Sequence, residues 1–347
     1  MAKKKKDEEK LNYAAEVRQL RQEGPKPLYF LWGPEDYLCE QYLAELKSLC
    51  LPEMEDSFSY RRINGPELDP NELQQAVDVM PFLCERSFVE IRGVELNRLS
   101  NPDDYVKILK DIPDYCTVAF VQTAEFEPDG RLKLIRALRE NAKELHFTEQ
   151  SELLRGWIAK RFSAYGKSVD PEAAGRLMYV SGELMNRLIP EIEKIAAFIK
   201  GSRVTVTDVD AVANHIPEAD VIEIADLIAQ KDFNSAMSIL SELMAKKDCE
   251  PIVILGMLGM QVRRLYGARI ALDKKLGQKY LTDIYKIKND YYANKLLSSA
   301  KGYTAGQLRQ AVRICAETDY KMKSSGTDPK ELLKEAFLRI AAGESDA

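Results

Sequence analysis

The stretch Leu28 to Glu40, LYFLWGPEDYLCE, constrains this chain more than any other, because it has the spacing of a phosphate-binding loop and lacks the residues that hold phosphate. Leu28 to Trp32 is an apolar run of strand length. Gly33-Pro34 punctuates it, and Leu38, Tyr42, Leu46 and Leu49 then recur at helical spacing. A working loop of this kind reads G-x-x-x-x-G-K-S/T: glycine lets backbone amides close around phosphate, lysine reaches the terminal phosphates and the hydroxyl holds magnesium. Counted from Gly33, this chain has Leu38 where the second glycine belongs, Cys39 for the lysine and Glu40 for the hydroxyl. A glutamate there repels triphosphate. An ordinary strand, turn and helix would show the same spacing, so the rest of the chain has to decide.

Beyond Glu40 the pattern alternates. Tyr13 to Leu20 has helical spacing and ends at Gly24-Pro25-Lys26-Pro27. After the first strand and helix come Phe58 to Ile63 (strand), Leu73 to Met80 (helix), Ser87 to Arg92 (strand), a helix around Tyr105 to Leu109, Cys116 to Gln122 (strand), Leu132 to Leu138 (helix) and Glu144 to Thr148 (strand). Strands alternating with helices imply a parallel sheet covered on both faces. From Ser151 helical periodicity takes over, with only Val204 to Val206 as a β-branched patch. Leu153, Ile158 and Phe162 mark one helix and Pro171 to Tyr179 a second. Leu184 to Ile199 is a third, with Leu188, Ile192, Ile195 and Phe198 on one stripe; Thr207, as N-cap, starts a fourth that runs to Val212. Beyond Pro217 the helices lengthen: Val221 to Ala229, Phe233 to Met244, Pro251 to about Leu272, Tyr291 to Lys301, Thr304 to Met322 and Pro329 to Ala341. Gly256 and Gly259 inside the third of these either allow close helix packing or weaken it. The expected division is a tail and helix over 1–27, an α/β domain over 28–149, a small helical domain over 150–216 and an all-helical domain over 217–347.

Composition limits the chemistry. A chain of 347 residues, 45% apolar and 30% charged, is long enough for about two or three globular domains of ~150 residues each. No apolar run approaches the roughly 18 residues of a membrane span, so no membrane partner is expected. Met1 to Lys10, MAKKKKDEEK, has no apolar core behind its lysines and reads as a disordered tail, not a signal peptide. The six cysteines form no C-x-x-C pair and the two histidines, His146 and His215, lie far apart, so a metal site is not expected and the usual histidine-based catalytic constellations lack material. Such cysteines suit reduced, mostly buried positions in a cytosolic protein. The net charge of −5 is unevenly spread: Cys249 to Ala347 carries seventeen Lys and Arg against eleven Asp and Glu, a balance of +6 that leaves −11 on the rest. Such a segment suits DNA or an acidic partner, though helical proteins commonly solvate such faces.

Further absences accumulate. An AAA+ type ATPase needs an acidic pair at the end of its third strand to hold magnesium and polarise water; here the strand ends Ile91-Arg92-Gly93. Gln122-Thr123 offers a polar end to the fourth strand, a feature too common to weigh. Where the helical lid of such an ATPase reads G-x-x-R, this chain reads Gly182-Glu183-Leu184-Met185. Together these describe a nucleotide-binding fold without a working nucleotide site. A second stretch, LQQAVDVMPFLCER from Leu73 to Arg86, places Leu73, Ala76, Val77 and Met80 on one helical stripe facing the sheet. Pro81 ends or restarts the helix, and continued turn geometry puts Phe82 almost opposite the stripe and Leu83 to one side. Turned outward, the pair is an apolar wedge for a partner's pocket, worth ~1.5 to 3 kcal/mol for each side chain buried. Turned inward, it belongs to the domain's own core.

These motifs resemble the delta subunit family of bacterial DNA polymerase III clamp loaders. LYFLWGPEDYLCEQ is similar to that family's first strand and turn, VMPFLCERSFVEIRGVE to its clamp-binding helix and third strand, and TVAFVQT to its fourth; PIVILGMLGMQVRRLY, YYANKLLSSAKGYTAGQL and TDYKMKSSGTDPKELLKEAFLRI match its last helices in order. The resemblance implies an α/β AAA+ like P-loop fold with a parallel sheet, a helical lid domain and an all-α collar domain that assembles with tau or gamma and delta prime subunits. It implies a non-catalytic subunit without cofactor that grips the sliding clamp (beta), favours its open form and helps load it on primer-template DNA within a polymerase complex. By motif position the clamp-binding residues are Phe82 and Leu83, flanked by Met80 and Pro81, and the degenerate loop is Gly33, Leu38, Cys39 and Glu40. The Phe-Leu order here differs from a Leu-Phe order known in the family, which leaves open which side chain goes deeper. Two readings of other classes stand beside it: an active ATPase with unorthodox phosphate contacts, and a stand-alone DNA-binding protein.

Overall fold

The computed structural model describes residues 11–51, 58–82, 84–122, 124–247, 249–287 and 289–343, and of Ser151 and Glu152 the backbone only. The N-terminal tail, Leu83 and Thr123 lie outside the described residues. The chain divides into two compact units, one of residues up to Glu149 with Leu184–Asn186, the other of Gln150–Glu183 with Arg187–Ala347.

In the first unit, helix α1 (Tyr13–Glu23) precedes β1 (Leu28–Trp32), α2 (Asp36–Cys50), β2 (Tyr60–Asn64), α3 (Pro70–Val77), β3 (Ser87–Arg92), α4 (Pro102–Lys110), β4 (Cys116–Val121), α5 (Lys133–Asn141) and β5 (Lys143–His146). The five strands form one parallel sheet in the order β2-β3-β4-β1-β5. Every residue of β1 and β4 is buried, as a strand covered on both faces requires. Alternation divides β1 between two cores: Leu28, Phe30 and Trp32 pack with residues of α3, α4 and α5, while the Tyr29 ring lies 6.2 Å from Tyr42 of α2. The unit is the expected α/β fold built on a parallel sheet. The order changes direction beside β1, so the carboxyl ends of β1, β3 and β4 bring Gly33, Arg92 and Gln122 to one edge of the sheet, where open α/β sheets bind ligands.

Two expectations fail in this unit. Helix α3 stops at Val77, with Asp78 as C-cap, so Met80 does not share the buried stripe of Leu73, Ala76 and Val77; it is 75% exposed. Pro81 disfavours helical backbone at the residue before it, which removes Met80 from the helix. Phe58 is not in β2, which starts at Tyr60; it sits in a turn ahead of the strand.

The second unit holds α6 (Ser151–Ala164), β6 (Ser168–Val169), α7 (Pro171–Ser181), α8 (Met185–Phe198, whose first two residues belong to the first unit), β7 (Arg203–Val204), α9 (Val206–Val212), α10 (Pro217–Ala229), α11 (Phe233–Ala245), α12 (Pro251–Asp273), α13 (Gly277–Tyr285), α14 (Asp290–Ala300), α15 (Ala305–Ser324) and α16 (Pro329–Ala341). Here β6 and β7 pair in parallel, a short ladder the sequence showed only as the patch at Val204. The N-cap of α9 is Thr205, not Thr207, because Asp208 three residues on reaches back to the Thr205 N–H at 2.8 Å and completes a capping box. In α6 the buried residue is Leu154, four before Ile158, whereas Leu153 is 66% exposed; the stripe of α8 closes on Ile199, just past the helix, and leaves Phe198 exposed. Both were one-residue errors of phase. At Gly259 a Cβ would stand 3.5 Å from the Cys315 Cβ of α15, an ordinary contact, so the approach of the two helices does not require glycine, and Gly256 faces open space. Helix α7 rests on α14, with the Tyr179 ring 5.6 Å from those of Tyr291 and Tyr292.

The phase of α6 is open to a direct check. Leu154→Ala is expected to lower unfolding stability by about 2–5 kcal/mol and Leu153→Ala by less than about 0.5, read from urea midpoints; equal costs would contradict the packing described.

Candidate functional site

The loop after β1 is shaped by Gly33. Its φ of +128° lies where side chains are disfavoured, and a Cβ would stand 2.4 Å from the Phe147 carbonyl oxygen. In a phosphate site that closeness serves the ligand. Here the chain's own backbone takes the place: the Glu35 N–H donates to the Phe147 carbonyl at 3.0 Å, and the Phe147 N–H donates to the Trp32 carbonyl at 2.8 Å. The Trp32 ring stacks on His146 at 3.6 Å and its Nε1–H donates to Glu144 Oε1 at 2.9 Å.

Carboxylates crowd the N-terminus of α2, where a helix would otherwise favour an anion. Glu35 is the N-cap and fully buried, and burial pushes its carboxyl up to about 7, against the opposing hydrogen bond from the Met185 N–H at 3.2 Å. Met185, the fourth residue of the Gly182-Glu183-Leu184-Met185 stretch, meets Glu35 through its backbone N–H. Burial, then the nearby Glu40, also raises Asp36. Leu38 and Cys39 are buried, and burial pushes the Cys39 thiol up to about 12, which makes it an unreactive packing group.

Glu40, at the position of the magnesium-binding hydroxyl, is paired. Arg92, at the position of the metal-binding acids, donates from its two terminal nitrogens to both Glu40 oxygens at 2.5 and 2.8 Å and from Nε to Glu90. Glu90 is 2% exposed inside β3 and also accepts from the Tyr60 hydroxyl at 2.9 Å, with Lys47 Nζ at 3.4 Å and Arg62 Nε at 3.7 Å. Burial would raise the Glu90 carboxyl, but Arg92 and Tyr60 outweigh it and hold it below the usual range. Hydrogen bonding to Glu40 in turn raises the Arg92 guanidinium. Glu40 and Arg92, each out of place for ATP chemistry, thus satisfy each other. Gln122 is buried with its Nε2 unpartnered. No group of three or more potential metal ligands occurs among the described residues.

The second candidate site lies after α3. Phe82 is 62% exposed and Met80 more so, Pro81 is half-buried, and Leu83 is outside the described residues. The motif reading missed two neighbours: Ser59, whose Oγ accepts the Phe82 N–H at 2.8 Å, and Phe58 beside it. Neither leaves a signal in the sequence, since serine before a strand is ordinary.

Glu35 supplies a pH test. Its raised value means that the carboxyl favours folding below the unfolded value near 4.5 and loses that contribution as pH rises through about 7. Relative to Glu35→Gln, the unmodified protein is expected to lose on the order of 2 kcal/mol between pH 5 and 8 in denaturant titrations. Parallel profiles would show that Glu35 is not held neutral.

Comparison with known proteins gives the lineage. Residues 218–340 match the family model described as DNA polymerase III delta subunit, C-terminal domain. The chain is 26% identical over 335 residues to DNA polymerase III subunit delta of Bacillus subtilis (strain 168), covering 90% of this chain and 92% of that protein. It is 21% identical over 322 residues to a probable DNA polymerase III subunit delta of Aquifex aeolicus (strain VF5), covering 89% of each. Among solved structures, the Bacillus subtilis DNA clamp loader delta protein aligns with a TM-score of 0.47 at 20% identity, over 94% of this chain and 99% of that one. The family model over 218–340 and the two sequence relatives thus make the chain similar, over most of its length, to DNA polymerase III delta subunits.

Proposed function

We propose that this chain is the clamp-binding, non-hydrolysing subunit of a clamp loader: it docks on the sliding clamp through Phe82 and Leu83, favours the open ring and works beside tau or gamma and delta prime subunits that supply ATP hydrolysis. The observation that carries the reading is the outward presentation of Phe82 and Met80 just after a helix whose other apolar residues are buried. Apolar side chains held in water at a helix end gain most by entering a partner's pocket, ~1.5 to 3 kcal/mol each. Docking alone does not open a ring; the surface has to bind the open clamp more tightly than the closed one. The Arg92 pairing with Glu40 supports the absence of hydrolysis, since magnesium and triphosphate would have to break a bidentate ion pair and face three carboxyls. No helix among the described residues is long and apolar enough to cross a membrane.

Phe82→Ala with Leu83→Ala is expected to weaken binding to the purified sliding clamp at least 100-fold in surface plasmon resonance, with the melting temperature held. Clamp affinity retained in that variant would sink the assignment. Isothermal titration of the purified chain with Mg-ATP is expected to give no binding heat at millimolar nucleotide; micromolar binding would instead favour an ATPase with unorthodox contacts.

A further inference from the structure

Ser59 joins two parts of the α/β unit that the sequence keeps 23 residues apart. Its Oγ accepts the Phe82 N–H at 2.8 Å and stands 3.4 Å from the Phe82 carbonyl oxygen, to which it donates. Its own carbonyl accepts the Phe88 N–H of β3 at 2.7 Å. One buried hydroxyl therefore fixes the main chain of the exposed Phe82 to the start of the edge strand β2, and the sheet holds that hydroxyl in place. Summed covalent lengths then put the Phe58 Cα no more than roughly 11 Å from the Phe82 Cα. Phe58 is 89% exposed, and Val79 at 40% lines with it the same cleft between β2 and α3, about 470 Å³ in volume. Phe58 and Val79 line the cleft, and the exposed Met80 and Phe82 follow Val79 in the chain, with the Phe82 backbone held by Ser59, which brings four exposed apolar side chains into one region. Scattered single exposures are ordinary on a protein surface, whereas a cluster of this kind marks a docking face.

We infer that Phe58 is a second aromatic anchor on the face that carries Phe82, that Ser59 is the positioning residue that couples the two, and that the occupant of this face is the sliding clamp. The inference rests on the clamp-binding reading and adds to it: the contact extends from the loop after α3 across the cleft to the turn before β2. Two rings on one rigid support present a wider apolar footprint than a single wedge, and a preordered loop loses less conformational freedom on docking. Ser59 touches no partner in this scheme; it acts through the Phe82 backbone.

The test uses the full chain and its purified sliding clamp, with affinity read by surface plasmon resonance and folding by thermal melting. Phe58→Ala is expected to weaken binding about tenfold or more at unchanged melting temperature, since the ring makes little of the fold's own core. Ser59→Ala is expected to weaken binding about three- to tenfold in the native background and not at all beside Phe82→Ala, because the strut has nothing left to position. Phe58→Ala binding like the native chain while Phe82→Ala does not would overturn the second anchor and leave the clamp reading intact. Equal losses from Ser59→Ala in both backgrounds would make Ser59 merely structural and overturn the coupling. Native affinity in Phe82→Ala itself would instead remove the clamp reading on which the inference stands.

Discussion

The guanidinium of Arg92, held between Glu40 and Glu90, is the interaction on which the α/β unit depends. A carboxylate buried within a central strand costs several kcal/mol unless a cation and hydrogen bonds compensate it, and Glu90 has Arg92, Lys47, Arg62 and the Tyr60 hydroxyl around it. Arg92 also spans to α2, so one side chain ties β3 to the helix after the phosphate-type loop. Structure and chemistry are decided by the same atoms. A magnesium ion and a triphosphate would bring the very charges that this pairing already supplies, so the proposed reading makes of it an internal brace.

The order and type of the elements were legible because each depends on local pattern. Leu28–Trp32, Ser87–Arg92 and Pro329–Ala341 fall where apolar period, glycine and proline put them. The failures share a cause. Leu153 against Leu154, and Phe198 against Ile199, are neighbours about a hundred degrees apart on a helix, and only the facing surface tells which turns inward. Helix α13 escaped notice because Gly277–Tyr285 buries a single residue, Leu281, and so leaves almost no stripe to read. For the candidate sites, sequence singled out the replaced positions of the loop and the Phe82–Leu83 pair, since those are motif arguments, and left open which way the pair turns. That Arg92 would meet Glu40, fifty-two residues away, or that Ser59 would hold the Phe82 backbone, depends on tertiary register that no local pattern encodes.

In the helical unit polar groups are also satisfied internally. Asp226 of α10, 6% exposed, meets Lys295 Nζ at 2.9 Å and the Ser299 hydroxyl of α14, and the Tyr303 hydroxyl caps the Ala225 carbonyl. Such pairs contribute little net stability compared with the apolar packing around them, but they penalise other registers of helix against helix.

Gly33 carries a last consequence. Its backbone bends at a positive φ, and the Phe147 carbonyl fills the hollow that the bend creates. Entry of any phosphate would first have to tear out main-chain hydrogen bonds at the rim of the sheet, a toll levied before a single favourable contact forms. If the proposed reading holds, the domain is deaf to the energy charge of the cell: rising or falling nucleotide levels would leave its shape as it was, and the rhythm of its encounters would be set by its neighbours.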